Sequence, residues 1–143
     1  MIGGPPRPGW VPRYVYDWSN AEAQGAAVKE QPAVIVLTVA RQDGRVMVRV
    51  APVTHRRPDD LSRAVEIPAA AKSRLGLDGQ KSWIILDHAN EFEWPGPDVR
   101  PVPGRDPATI YYGPLPPAFY AQIKRSLLAL LRAGRGRGLF RPK

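Results

Sequence analysis

At 143 residues, the chain suits one compact domain, and its 43% apolar and 24% charged composition is that of a globular protein and excludes a disordered one. Lys and Arg number 21 against 13 Asp and Glu, a formal charge of +8 with a pI near 10.3. That excess points to a polyanion such as nucleic acid, although it also serves solubility. The absence of cysteine excludes disulfide frameworks and Cys zinc sites.

Residues 1–9 are rich in Pro and Gly and are expected to form a flexible arm. MIGGPPRPGW lacks the apolar core of a signal peptide, and no apolar run approaches the roughly 18 residues of a membrane span. A cytoplasmic protein with no membrane contact is expected. In RYVYDW, Tyr14, Tyr16 and Trp18 alternate with Val15 and Asp17. A period of two predicts a strand with an aromatic core face, with base stacking on RNA as the alternative. Residues 19–30 form a polar loop, long enough to suggest function.

PAVIVLTVA, Pro32 to Ala40, reads as a buried strand, and Asp43-Gly44 predicts a tight turn pairing it with RVMVRVAPV. Pro52 demands an edge or a bulge, so a bend is expected just before Thr54. AVEI is a short strand. PAAAKSRLG has Pro68 and Gly76 where a short helix begins and ends. SWIILD is another buried strand finishing at Asp87 and His88, and EFEW is expected to continue the sheet. Residues 95–114 read as irregular. Phe119, Ile123, Leu127 and Leu130 or Leu131 recur at helical spacing from Pro117 to Gly134, predicting an amphipathic helix over the sheet. Residues 134–143 are a basic Gly/Arg tail that suits phosphate tracking. The expected domain therefore spans 10–133. It is a mainly β fold with short helices, a small curved barrel with a C-terminal amphipathic helix.

No P-loop, GxGxxG, GxSxG or HExxH is present. Polar groups gather instead at two strand ends, Thr54-His55-Arg56-Arg57 and Asp87-His88. Met at one rim, they would supply a hydroxyl, imidazoles, guanidiniums and a carboxylate, a set suited to RNA cleavage without a metal. There a base takes the ribose 2′-OH proton, cations steady the charge on phosphorus and an acid protonates the leaving oxygen. Histidine serves as base or acid, whereas arginine only binds and stabilises. The plainer reading has Thr54 and Asp87 capping turns and the other groups solvated. A further alternative places Mg²⁺ on Asp87, Glu91 and Glu93, provided one strand runs through all three.

The succession GWVPRYVYDW, EQPAVIVLTV, VMVRVAPVTH, AVEIP, SWIILDHANEF and a closing helix after YGPLPP resembles the PemK/MazF-like family over roughly residues 9–132. "VAPVT" and the strand ending in Asp87 carry most of the match. The resemblance implies an SH3-like barrel, a homodimer and a toxin paired with an antitoxin. It also implies cleavage of single-stranded RNA, mRNA in the cell, with no cofactor and no metal.

By the same resemblance Thr54 helps hold the scissile phosphate, Asp87 takes part in acid–base work and the loop 19–30 closes over RNA. One departure stands out. Where the family often has a catalytic arginine before proline, this chain has Gln31-Pro32, and Ile85 stands where some members have a second arginine. Glutamine donates hydrogen bonds but carries no charge. His55, Arg56 and Arg57 are the candidates to supply it, with Lys29 and His88 as further RNA-binding residues. The competing function is a barrel of the same type that binds nucleic acid or a partner without cutting.

Overall fold

The computed structural model describes residues 5–17, 28–96, 98–133 and 140–142. Within them the chain forms β1 (Trp10–Asp17), β2 (Val28–Ala40), β3 (Val46–Thr54), β4 (Ala64–Glu66), α1 (Ala69–Leu75), β5 (Trp83–Ile85), β6 (Ala89–Glu93), β7 (Val99–Arg100), β8 (Tyr111–Pro114), α2 (Pro117–Arg132) and β9 (Phe140–Pro142). Short 3-10 turns at Leu61–Arg63 and Leu86–His88 precede β4 and β6. This is the mainly β architecture with short helices that the sequence predicts. Two details differ: the stretch read as irregular contains β7 and β8, and Phe140–Pro142 of the basic tail pair in parallel with β6. Residues 134–139 and most of the loop 19–30 lie outside the described residues.

The Asp43-Gly44 turn sets the register of the central ribbon. Gly44 has φ +87, a conformation glycine adopts without the steric cost borne by other residues, and its N–H donates to the Arg41 carbonyl at 3.0 Å. The turn pairs β2 with β3 from Ala40↔Val46 to Ala33↔Pro52, with one register shift between Ile35 and Leu37. The outer edge of β3 changes partner along its length. Residues 47–50 pair with β6 and residues 53–54 with β5. Pro52 lies at that changeover, where a residue without an N–H interrupts no continuous ladder.

The strand order is β4-β5-β3-β2-β1-β7, with β6 and β8 branching from β3 and β1. No pairing among the described residues joins β4 to β7, so hydrogen bonds do not close the sheet. Its two faces bury separate cores. Tyr14, Ile35, Val48, Val50, Phe92, Trp94 and Tyr111 cluster on one face. Tyr14 is fully buried, so it packs in the core and offers no surface for a base. The other core gathers Val34, Val36, Ala51, Val53 and Ile84 under both helices. There α2 contributes Phe119, Ile123, Leu127 and Leu130. This i, i+4, i+8, i+11 stripe resolves the Leu130 or Leu131 alternative, since Leu131 is exposed.

Candidate functional site

The β2–β3 ladder ends, opposite the turn, at Ala33↔Pro52, and Gln31 lies two residues before that end in β2 and Thr54 two residues beyond it in β3. The Gln31 side chain donates from Nε2 to the Val53 carbonyl at 3.0 Å. The Thr54 hydroxyl accepts from the Arg56 N–H at 3.1 Å, a Thr-stabilised turn that reverses the chain as it leaves the sheet. Thr54 and Gln31 are half-buried, whereas His55, Arg56 and Arg57 are exposed. None of the ion pairs found among the described residues involves Arg56 or Arg57. Lys29 stands two residues before Gln31 in β2, opposite Tyr16.

His55 turns away from its neighbours toward the loop that enters β5. Its Nε2 lies 2.8 Å from Asp78 Oδ2, and its Nδ1 lies 3.0 Å from Ser82 Oγ and 3.1 Å from the Lys81 carbonyl. Behind this contact sits Lys72 of α1, with only 4% of its surface exposed. Its ammonium donates to Asp78 Oδ1 at 2.9 Å, to Ser82 Oγ at 2.7 Å and to the Gln80 carbonyl. Three donors meet three acceptors, which is what a buried ammonium requires. The Lys72 hydrogen bond is the main reason the Asp78 carboxyl is held below its usual range. The Gln80 N–H and the nearby His55 act in the same direction, and desolvation opposes them.

Asp87 and His88 are placed differently. β5 runs antiparallel to β3, with Trp83 opposite Thr54, so it is the start of β5 that meets the end of β3. Asp87 follows in the 3-10 turn and is bound by Arg63 Nη1 at 3.0 Å, while His88 Nε2 is 3.9 Å from Asp87 Oδ1. Arg63 closes the loop that starts at His55 and also contacts Asp60 at 3.3 Å. Asp87 is thus tied to that loop and not directly to Thr54.

The same 3-10 turn breaks the single strand that a magnesium site on Asp87, Glu91 and Glu93 needs. Glu91 pairs with Arg49 at 2.5 Å and Arg41 at 3.6 Å, and Glu93 with Arg45 at 3.5 Å. Among the described residues no three potential metal ligands come together. These carboxylates neutralise arginines near the hairpin turn.

No family model and no curated protein sequence matches this chain. Among solved structures, it superposes with a TM-score of 0.53 on a chain from an endoribonuclease in complex with its cognate antitoxin from Mycobacterial species. The likeness is one of fold. Identity is 19%, and the match covers 90% of this chain and 96% of the other.

Sequence reasoning missed Lys72, Asp78 and Ser82. A lysine inside AAAKSRL reads as solvated, and only the fold of the loop after α1 brings its three acceptors together. The single available signal was Asp78-Gly79, a turn pair placed shortly after a helix stop at Gly76.

Proposed function

We propose that the protein is a PemK/MazF-type endoribonuclease with an SH3-like fold. It would cleave single-stranded RNA, mRNA in the cell, without a metal, and be restrained by a cognate antitoxin. The likeness in fold to an endoribonuclease, over nearly the whole of both chains, carries this reading. The two exposed arginines beside Thr54 support it, because a scissile phosphate gains negative charge as the 2′-oxygen attacks.

In this scheme the Thr54 hydroxyl and the Gln31 amide orient the phosphate, and Arg56 and Arg57 offset its charge. Asp87 handles a proton, as the family resemblance implies. The 2′-oxygen gives up its proton and bonds to phosphorus, the bond to the 5′-oxygen breaks, and that oxygen takes up a proton, which leaves a cyclic 2′,3′-phosphate and a free 5′-hydroxyl. His55 receives no proton in this scheme, since both its ring nitrogens are engaged by the protein.

One observation favours the alternative, a module that binds without cutting. Gln31 supplies no charge where the family resemblance places an arginine, and its amide is already bonded to the Val53 carbonyl. A gel of a long RNA in EDTA separates the two. Cleavage in chelator supports the nuclease, retention without cleavage supports the binding module, and cleavage only on adding a divalent cation defeats both.

The proposal includes a homodimer through α2, whose outer face exposes Leu128 and Leu131. Light scattering should give twice the mass of the chain at tens of micromolar, on the order of the concentrations at which weak dimers form. A monomer there would count against it.

A further inference from the structure

We infer that Lys72 is a positioning residue, which acts through Asp78 and Ser82 to lock the His55 imidazole and hold the Thr54–Arg57 turn against the loop entering β5. For its effect on catalysis this inference rests on the endoribonuclease reading. The four side chains form a closed ring. Lys72 binds Asp78 Oδ1 and Ser82 Oγ, Asp78 Oδ2 meets His55 Nε2, and His55 Nδ1 meets Ser82 Oγ.

Ser82, His55 and Asp78 have the connectivity of a nucleophilic triad, but Ser82 is only 1% exposed and its oxygen accepts from the Lys72 ammonium. A hydroxyl so buried cannot reach a phosphodiester. The imidazole is constrained in its turn. Nε2 faces a carboxylate, and Nδ1 faces a carbonyl as well as Ser82 Oγ. Asp78 takes up Nε2, and the Ser82 hydroxyl and the Lys81 carbonyl take up Nδ1, so no ring nitrogen is left unengaged for a substrate proton. His55 therefore anchors the turn, and the guanidiniums that follow it are directed outward. The buried ammonium is held on all sides, since each of its three donors has an acceptor.

The test uses the full chain, with Lys72→Met, Asp78→Asn and His55→Gln. Long-range ¹H–¹⁵N spectra report the His55 ring whether or not the protein cuts RNA. Wild type should show slowly exchanging ring N–H signals, with exchange at least about tenfold faster in Lys72→Met and in Asp78→Asn. Asp78 is half-exposed, so its variant keeps the question decidable if Lys72→Met does not fold.

In single-turnover cleavage each substitution should slow the rate by about tenfold to a hundredfold, as a displaced site does. The shape of the pH–rate profile should be retained. Combining Lys72→Met with His55→Gln should add little to either alone, because the two act as a unit. Ring exchange unchanged in both Lys72→Met and Asp78→Asn would overturn the inference. So would loss of one limb of the pH–rate profile in His55→Gln alone, which would make His55 the proton carrier. A wild type that never cuts RNA would overturn the nuclease reading, and ring exchange would still decide the role of Lys72.

Discussion

The two ends of the β2–β3 ribbon carry similar groups arranged in opposite ways. At the turn, Arg41, Arg45 and Arg49 each face a carboxylate of Asp43, Glu91 or Glu93, so positive charge is cancelled where it arises. At the open end, Arg56 and Arg57 leave the sheet beside Thr54 outside the ion pairs of the described residues, while Asp78 is engaged by Lys72 and His55, Asp60 by Arg63 and Glu30 by Arg13. The net charge of the chain is therefore not spread evenly along the ribbon. Two cations outside those ion pairs and next to a hydroxyl suit an anion, whereas exposed, mutually paired charges add little to stability or binding.

Substitutions at the two ends should separate them. The largest effect is expected from Arg56→Ala combined with Arg57→Ala, which should slow RNA cleavage by about 10²–10³ in a single-turnover assay, the range for losing charge-stabilising donors. Melting temperature should hardly change, because both side chains are exposed. Unaltered cleavage would remove these arginines from the mechanism.

Next comes Lys72→Ala, which takes the ammonium from Ser82 Oγ, the Gln80 carbonyl and Asp78. Chemical denaturation should show a loss of about 2–3 kcal/mol, in keeping with buried polar groups left unsatisfied. A loss below about 0.5 kcal/mol, typical of surface positions, would mean that the ring around His55 does not hold this end together.

Gln31→Arg tests the position where sequence and resemblance disagree. If that site lacks only its charge, the variant should cut RNA about tenfold faster, or about 1.4 kcal/mol of transition-state stabilisation. A variant no faster than wild type would mean that Arg56 or Arg57 already fills the role.

Asp78 gives a smaller, pH-dependent signal. Its carboxyl is held below its usual value of 3.8 in the folded protein, so it binds its proton more readily unfolded than folded. That sign makes its contribution fully present above the unfolded value and lost as pH falls through the folded one. The stability gap between wild type and Asp78→Asn should therefore narrow as the pH is lowered below about 4. A gap that stays constant from neutral pH to pH 3 or so would contradict the shift.

Smallest of all is Arg45→Ala at the turn. This exposed residue pairs with Asp43 and Glu93, and its loss should alter neither melting temperature nor cleavage.

Much of the fold was legible in the sequence because the signals were local. Asp43-Gly44 has one preferred geometry, Gly76 ends α1 in the left-handed conformation, and the apolar stripe of α2 follows the helical period. Boundaries set by tertiary contact were not legible. The run WIIL does not reveal where β5 stops, so Asp87 and His88 read as a strand end although they lie in a 3-10 turn. At the candidate site, Thr54 stood out as a hydroxyl at a strand end, whereas Gln31 stood out only through the resemblance. The ring around His55 was hidden because its members are separated by up to 27 residues, and nothing in AAAKSRL marks Lys72 as buried.

In the function proposed above, RNA is held at the open end of the ribbon. Amide chemical-shift mapping tests it most directly, using a single-stranded oligonucleotide whose 2′-hydroxyls are methylated so that it binds without being cut. Perturbations should concentrate at residues 29–31 and 53–57, with the turn at 41–47 unaffected. Shifts centred on the turn or on the outer face of α2, or no shifts at all, would contradict it.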